Sequence, residues 1–136
     1  MFAQTILAHA VFLEDDEVAL LAKRQTGIAH CPTSNTNLQS GLCNVRRLLD
    51  AGIRVGLGSD VAGGHNPCML EVLRAALTTS IHLKFTEKGH SPVLSFHEAF
   101  YLTTLGGAQG NTNNDTDKKV TYPCRFRVEV SMQNPW

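Results

Sequence analysis

The sequence predicts an α/β protein built from parallel βαβ units, and three observations carry that reading. Short aliphatic runs alternate with segments of helical periodicity, as crossover connections require. Three of the runs end on residues able to do chemistry, His9, His30 and Asp60. Small or polar residues follow at each end, as at the C-terminal rim of a parallel sheet, where active sites collect.

Thr5-Ile6-Leu7-Ala8 is the first run and stops at His9. Glu14, Asp15, Asp16 and Glu17 then place four acids where the positive end of a helix favours them. Val18, Leu21 and Ala22 recur at helical spacing, and Lys23-Arg24 put cations in the last turn. Gly27 opens the second strand, Ile28-Ala29, which delivers His30. Cys31 to Asn35 reads as a turn, because Pro32 has no N–H to give to a ladder.

Val45, Leu48 and Leu49 form one face of a short helix ended by Gly52, and Ile53 to Leu57 is the third strand. Pro67 to Leu83 is the strongest helical segment, with Met69, Val72, Leu73, Ala76 and Leu77 on one face. Phe96 to Leu105 is a further helix, with Ser95 as its cap and Glu98 three residues on, the capping-box pattern.

Composition limits the function classes. The chain has 136 residues, which suits one ordinary domain. A complete eight-stranded α/β barrel needs roughly 250. Hydrophobic residues make up 43% and charged residues 18%, so the chain has a core to bury and is not a disordered tail. Lys+Arg and Asp+Glu number 12 each, and a neutral chain offers a polyanion nothing to grip, which disfavours nucleic acid. Cys31, Cys43, Cys68 and Cys124 are scattered without a CxxC pair, which argues against a zinc knuckle or a disulfide framework. No apolar stretch approaches the ~20 residues of a membrane span, and Met1 to Leu13 lacks a basic region ahead of its apolar part. A cytoplasmic protein with reduced thiols and no membrane or nucleic-acid partner is expected.

Residues 1–109 carry the strand–helix pattern and are read as one domain. Residues 110–136 begin with a polar tract from Gly110 to Lys119 that has no apolar face, and are read as an irregular tail. Val120 to Trp136 alternates only weakly.

The most informative string is Arg54-Val55-Gly56-Leu57-Gly58-Ser59-Asp60-Val61-Ala62-Gly63, closed by Gly64. An apolar run delivers one carboxylate, and the residues after it are too small to screen it. Such an Asp suits a metal ligand or a general base; the same string also suits a turn, where Asp serves local hydrogen bonds.

Four strings occur in order: Leu7-Ala8-His9-Ala10, His30-Cys31-Pro32-Thr33-Ser34-Asn35, Gly56 to Gly64, and Thr104-Leu105-Gly106-Gly107-Ala108. Together they resemble the C-terminal barrel half of the zinc amidohydrolases, most closely the guanine deaminase family, over about Thr5 to Gln109. The resemblance implies a partial (β/α)8 barrel, comprising about the last three βα units. It also implies a zinc hydrolase acting on a cyclic amidine. In such enzymes a zinc-bound water attacks a purine ring carbon and ammonia leaves, zinc having lowered the pKa of that water. Asp60 then takes the position of the Asp that ligates the metal and accepts the water's proton. His9 matches the residue that hydrogen-bonds the water or the attacked centre. His30, Ser34 and Asn35 match the loop that shapes the substrate pocket, and Gly63 and Gly64 leave room for a flat purine base.

The family also uses an HxH pair and a later His followed by a proton-shuttling Glu, and neither HxH nor HxxE occurs in these 136 residues. A catalytic zinc takes at least three protein ligands, and only Asp60 matches one. His65, His82, His90 and His97 share no ligand spacing and are read as surface residues. Three βα units also leave sheet edges unpaired. The expectations are therefore no activity of the chain alone, marginal stability, a homo-oligomer or pairing with a full-length homologue, and an alternative or misread coding end after Gln109. The substrate is expected to be a purine base; another aminated or halogenated heterocycle is the second choice.

Overall fold

Three strands make one parallel sheet in sequence order: β1 (Ile6–Ala8), β2 (Gly27–His30) and β3 (Arg54–Leu57). The structure is a computed structural model and describes residues 5–86 and 92–110. The register pairs Ala8 with Ala29 and Ala29 with Gly56, so the strands end almost level. One further bond at each boundary extends the ladder, from His9 N–H to the Ala29 carbonyl and from Gly58 N–H to the His30 carbonyl, both 2.9 Å. His9 and His30 are thus neighbours across the sheet, and Asp60 follows three residues after Leu57, the partner of His30.

The connection from β1 to β2 is α1 (Asp15–Lys23), entered where the Glu14 N–H donates to the Glu17 carboxylate. Val18 is buried, with Leu21 and Ala22 packed beside it, as their spacing requires. Between β2 and β3 lie α2 (Pro32–Asn37) and α3 (Val45–Asp50). The turn expected at Cys31 to Asn35 is instead the first part of α2. Pro32 occupies the first helical turn, where its missing N–H costs nothing and its fixed φ favours helix. In α3, Asn44 accepts from the Arg47 N–H as N-cap, and Gly52 at φ +78° turns the chain back toward β3.

After β3 the long helix α4 (Met69–Thr86) begins two residues later than expected and runs three residues further. Val72, Leu73 and Ala76 are buried on its inner face, while Met69 and Leu77 pack at the margin. The expected helix at Phe96 to Leu105 begins as α5 (Phe96–Tyr101), with the full Ser95–Glu98 capping box. It then widens into a π-helical turn over Leu102–Gly106 before α6 (Gly107–Gly110). The widening brings backbone against backbone. A Cβ on Gly106 would lie 2.8 Å from the Val55 carbonyl oxygen.

These helices cover β2 and β3 with a core of Ile28, Val55, Leu57, Leu48, Val72, Leu73 and Leu102, each at most 2% exposed. β2 is buried along its whole length, whereas Leu7 on β1 is 38% exposed. Among the described residues β1 and β3 each pair on one side only. No helix among them is long and apolar enough to cross a membrane. His65, His82 and His97 are exposed, and His90, Cys124 and residues 111–136 lie outside the described residues.

Candidate active site at the strand ends

His9 and Asp60 come together beyond the sheet, with Nε2 3.7 Å from Oδ2. Each is held by a neighbouring residue on the first turn of α2. Ser34 Oγ donates to Asp60 Oδ2 at 2.6 Å, and Asn35 Oδ1 lies 2.8 Å from His9 Nδ1. Ser34 and Asn35 are buried, while the side chains of His9 and Asp60 retain 32% and 17% exposure. Fixed anchors therefore hold two reactive groups that solvent can still reach.

The backbone at these positions is strained. His9 (φ +71°), Ala10 (+50°) and Asp60 (+47°) all occupy the left-handed region. Non-glycine residues there cost roughly 1–2 kcal/mol each, and such strain gathers at functional sites.

His30 is present at the same rim but plays a different part. It is fully buried, and neither ring nitrogen has a hydrogen-bond partner among the described residues. Burial first, and the neighbouring His9 second, pull its pKa down to about 4, so the ring is neutral near pH 7. Burial likewise pushes the Cys31 thiol up to about 12, with the Asp60 carboxylate adding to the effect.

Gly63 and Gly64 lie tightly against this cluster. A Cβ on Gly63 would fall 2.6 Å from Asp60 Oδ2 and 2.7 Å from Ser34 Oγ. On Gly64 it would run into the Ser59 carbonyl oxygen and approach Thr33 Oγ1. The missing side chains are thus required by the protein's own atoms. Asn37, which sequence reasoning passed over, fixes this loop by donating to the Gly63 carbonyl at 2.9 Å. Its only signal in the sequence is its position two residues after Asn35.

The amidohydrolase family model matches residues 2–110, the span that contains all three strands and α2. The chain belongs to the amidohydrolase family. This amidohydrolase is 54% identical over 112 residues to a probable guanine deaminase of Schizosaccharomyces pombe, covering 82% of this chain and 21% of that protein. Its fold matches a guanine deaminase from C. acetobutylicum with guanine bound in the active site, with a TM-score of 0.75 and 38% identity. That match covers 77% of this chain and 25% of the other. An atrazine chlorohydrolase from Arthrobacter aurescens complexed with zinc matches with a TM-score of 0.61 and 33% identity, over 77% of this chain and 23% of that one. The amidohydrolase chain thus spans about a quarter or less of the length of these relatives.

The zinc of that relative gives a specific test. Among the described residues no group of three or more His, Cys, Asp or Glu side chains is placed to hold a metal ion. Asp60 Oδ2 already accepts from Ser34, and both nitrogens of His30 are buried. The described residues of this amidohydrolase do not fit a complete zinc site, which needs at least three protein ligands.

Proposed function

We propose that this amidohydrolase chain forms the last three βα units of a guanine deaminase-type barrel and carries the acid–base part of its site. The reaction is hydrolysis: water adds to the ring carbon, the bond to the exocyclic nitrogen breaks, and guanine becomes xanthine and ammonia. Asp60 accepts the proton of the attacking water, the general-base role of a positioned carboxylate, and the proton passes on to the departing amine. His9 hydrogen-bonds at the attacked centre. His30, Ser34, Asn35, Gly63 and Gly64 shape the purine pocket beside them, the first three by supporting it from within the fold. Asp60 is also the position among the described residues that matches a zinc ligand of the family.

The observation that carries this reading is the meeting of His9 and Asp60 at level strand ends, 51 positions apart in sequence and 3.7 Å apart in space. The similarity to a guanine deaminase, and to one that holds guanine, supports the choice of substrate. The chlorohydrolase likeness keeps another heterocycle as the alternative substrate. A second reading, association with a full-length homologue without catalysis of its own, is favoured by β1 and β3 each pairing on one side only among the described residues.

The test combines the purified chain, with zinc, and the preceding part of the barrel taken from the S. pombe relative, then measures xanthine formation. Turnover that disappears with Asp60→Ala supports the proposal. A stable assembly that leaves guanine untouched overturns it, as does turnover indifferent to Asp60→Ala. Co-purification with an intact homologue and no turnover in any combination favours the second reading.

A further inference from the structure

The residues around His9 are arranged to settle which of its two ring nitrogens carries the proton. Nδ1 lies 2.8 Å from Asn35 Oδ1, well within hydrogen-bond range, whereas Nε2 lies 3.7 Å from Asp60 Oδ2, beyond it. Asp60 Oδ2 is meanwhile engaged by Ser34 at 2.6 Å. An amide oxygen can only accept, so a ring nitrogen facing it must be the one that bears hydrogen.

Asn35 is itself firmly placed. It is 2% exposed, its N–H bonds to the Cys31 carbonyl at 2.9 Å, and its carbonyl accepts from Ser40 N–H at 2.8 Å. Its Nδ2 has no partner among the described residues. Leaving one end of a buried amide unpaired is unfavourable, so its placement is set by the bond at the other end.

We propose that Asn35 is a positioning residue that holds His9 as the Nδ1–H tautomer, leaving the Nε2 lone pair free beside the Asp60 carboxylate. Nε2 and Oδ2 are then two acceptors 3.7 Å apart, on side chains that are 32% and 17% exposed. Together they select a ligand group that donates, an O–H or a ring N–H, and disfavour one that only accepts. The inference deepens the deaminase reading and rests on it for its catalytic meaning, but the tautomer itself is a property of the chain alone.

The experiment is a two-bond proton–nitrogen correlation spectrum of the chain labelled with nitrogen-15 in histidine, recorded above the ordinary histidine titration range. Wild type and Asn35→Asp, which keeps an acceptor in place, are expected to show His9 protonated at Nδ1. Asn35→Leu, similar in volume but without an acceptor, is expected to shift the tautomer ratio toward Nε2–H by about fivefold or more. Asn35→Ala gives the same comparison should the leucine variant fail to fold. A wild-type His9 protonated at Nε2 overturns the proposal, as does an unchanged Nδ1–H form in the folded leucine or alanine variant. Because no turnover is measured, this outcome is independent of the xanthine assay.

Discussion

Ser34 and Asp60, 26 residues apart in sequence, meet through a 2.6 Å hydrogen bond from Oγ to Oδ2. The bond ties the first turn of α2 to the loop after β3 and holds the carboxylate where His9 can reach it. Because the acceptor is charged and partly buried, the bond is of the stronger kind.

Removing this donor has a measurable cost. Ser34→Ala is expected to lower the unfolding free energy by about 1.5–3 kcal/mol, the range for a hydrogen bond to a charged group. Urea denaturation checks this, with the midpoint falling and the slope unchanged. A midpoint equal to wild type would mean that Asp60 finds another donor.

Three glycines should respond to alanine in a fixed order. At Gly52 nothing among the described residues lies within 4 Å of a new Cβ, so the φ of +78° is what opposes a side chain, a cost of about 1–2 kcal/mol. At Gly63 the new methyl pushes on the Asp60 and Ser34 side chains rather than on backbone, so the site is disturbed more than the fold. At Gly64 it meets the Ser59 backbone carbonyl, and the loss should exceed that at Gly52. Thermal melts of the three variants test the order.

His30 sets a pH dependence. Its pKa is about 4 in the folded chain against an ordinary 6.5, so between these values the unfolded chain binds more protons. Stability therefore rises with pH across this window and is lost as pH falls from 6.5 toward 4. The change is on the order of 3 kcal/mol for a shift of this size. His30→Leu should flatten the slope between those limits, seen by chemical denaturation at several pH values. Glu98, held down to about 2 first by the Ser95 backbone N–H and then by Arg46, adds a separate loss only below about pH 4.5.

Thiol labelling gives an independent check on burial. Burial pushes Cys31 and Cys43 up to about 12, so neither forms thiolate near pH 8, whereas Cys68 is exposed. In the native chain carrying Cys124→Ser, an alkylating reagent should modify Cys68 and leave the other two until denaturant is added. Peptide mapping by mass spectrometry distinguishes the three, and prompt modification of Cys31 would contradict the packing under the site.

Several elements were legible because their signals are local. The acids from Glu14 to Glu17 mark the start of α1, and Ser95 with Glu98 marks α5, since caps are made by side chains three residues apart. The inner face of α4 was readable from the spacing of Val72, Leu73 and Ala76. Pro32 misled, because a proline at a helix start and a proline in a turn look alike without the residues that follow. The π turn at Leu102–Gly106 had no signal, since it answers to the approach of Gly106 to the Val55 carbonyl on a distant strand.

By itself the sequence determined three strands that end on His9, His30 and just before Asp60, and the strings that place the chain in its family. It did so because hydrophobic periodicity and small-residue turns act over a few residues. Tertiary structure alone decided what these residues do to one another. Parallel pairing with level strand ends put His9 beside Asp60, while the burial of β2 left His30 neutral and without hydrogen-bond partners among the described residues. Helix α2 then brought Ser34 and Asn35 to opposite members of the pair, one hydrogen bond each. Hydrogen bonds act over about 3 Å, so no spacing along the chain could have assigned their partners.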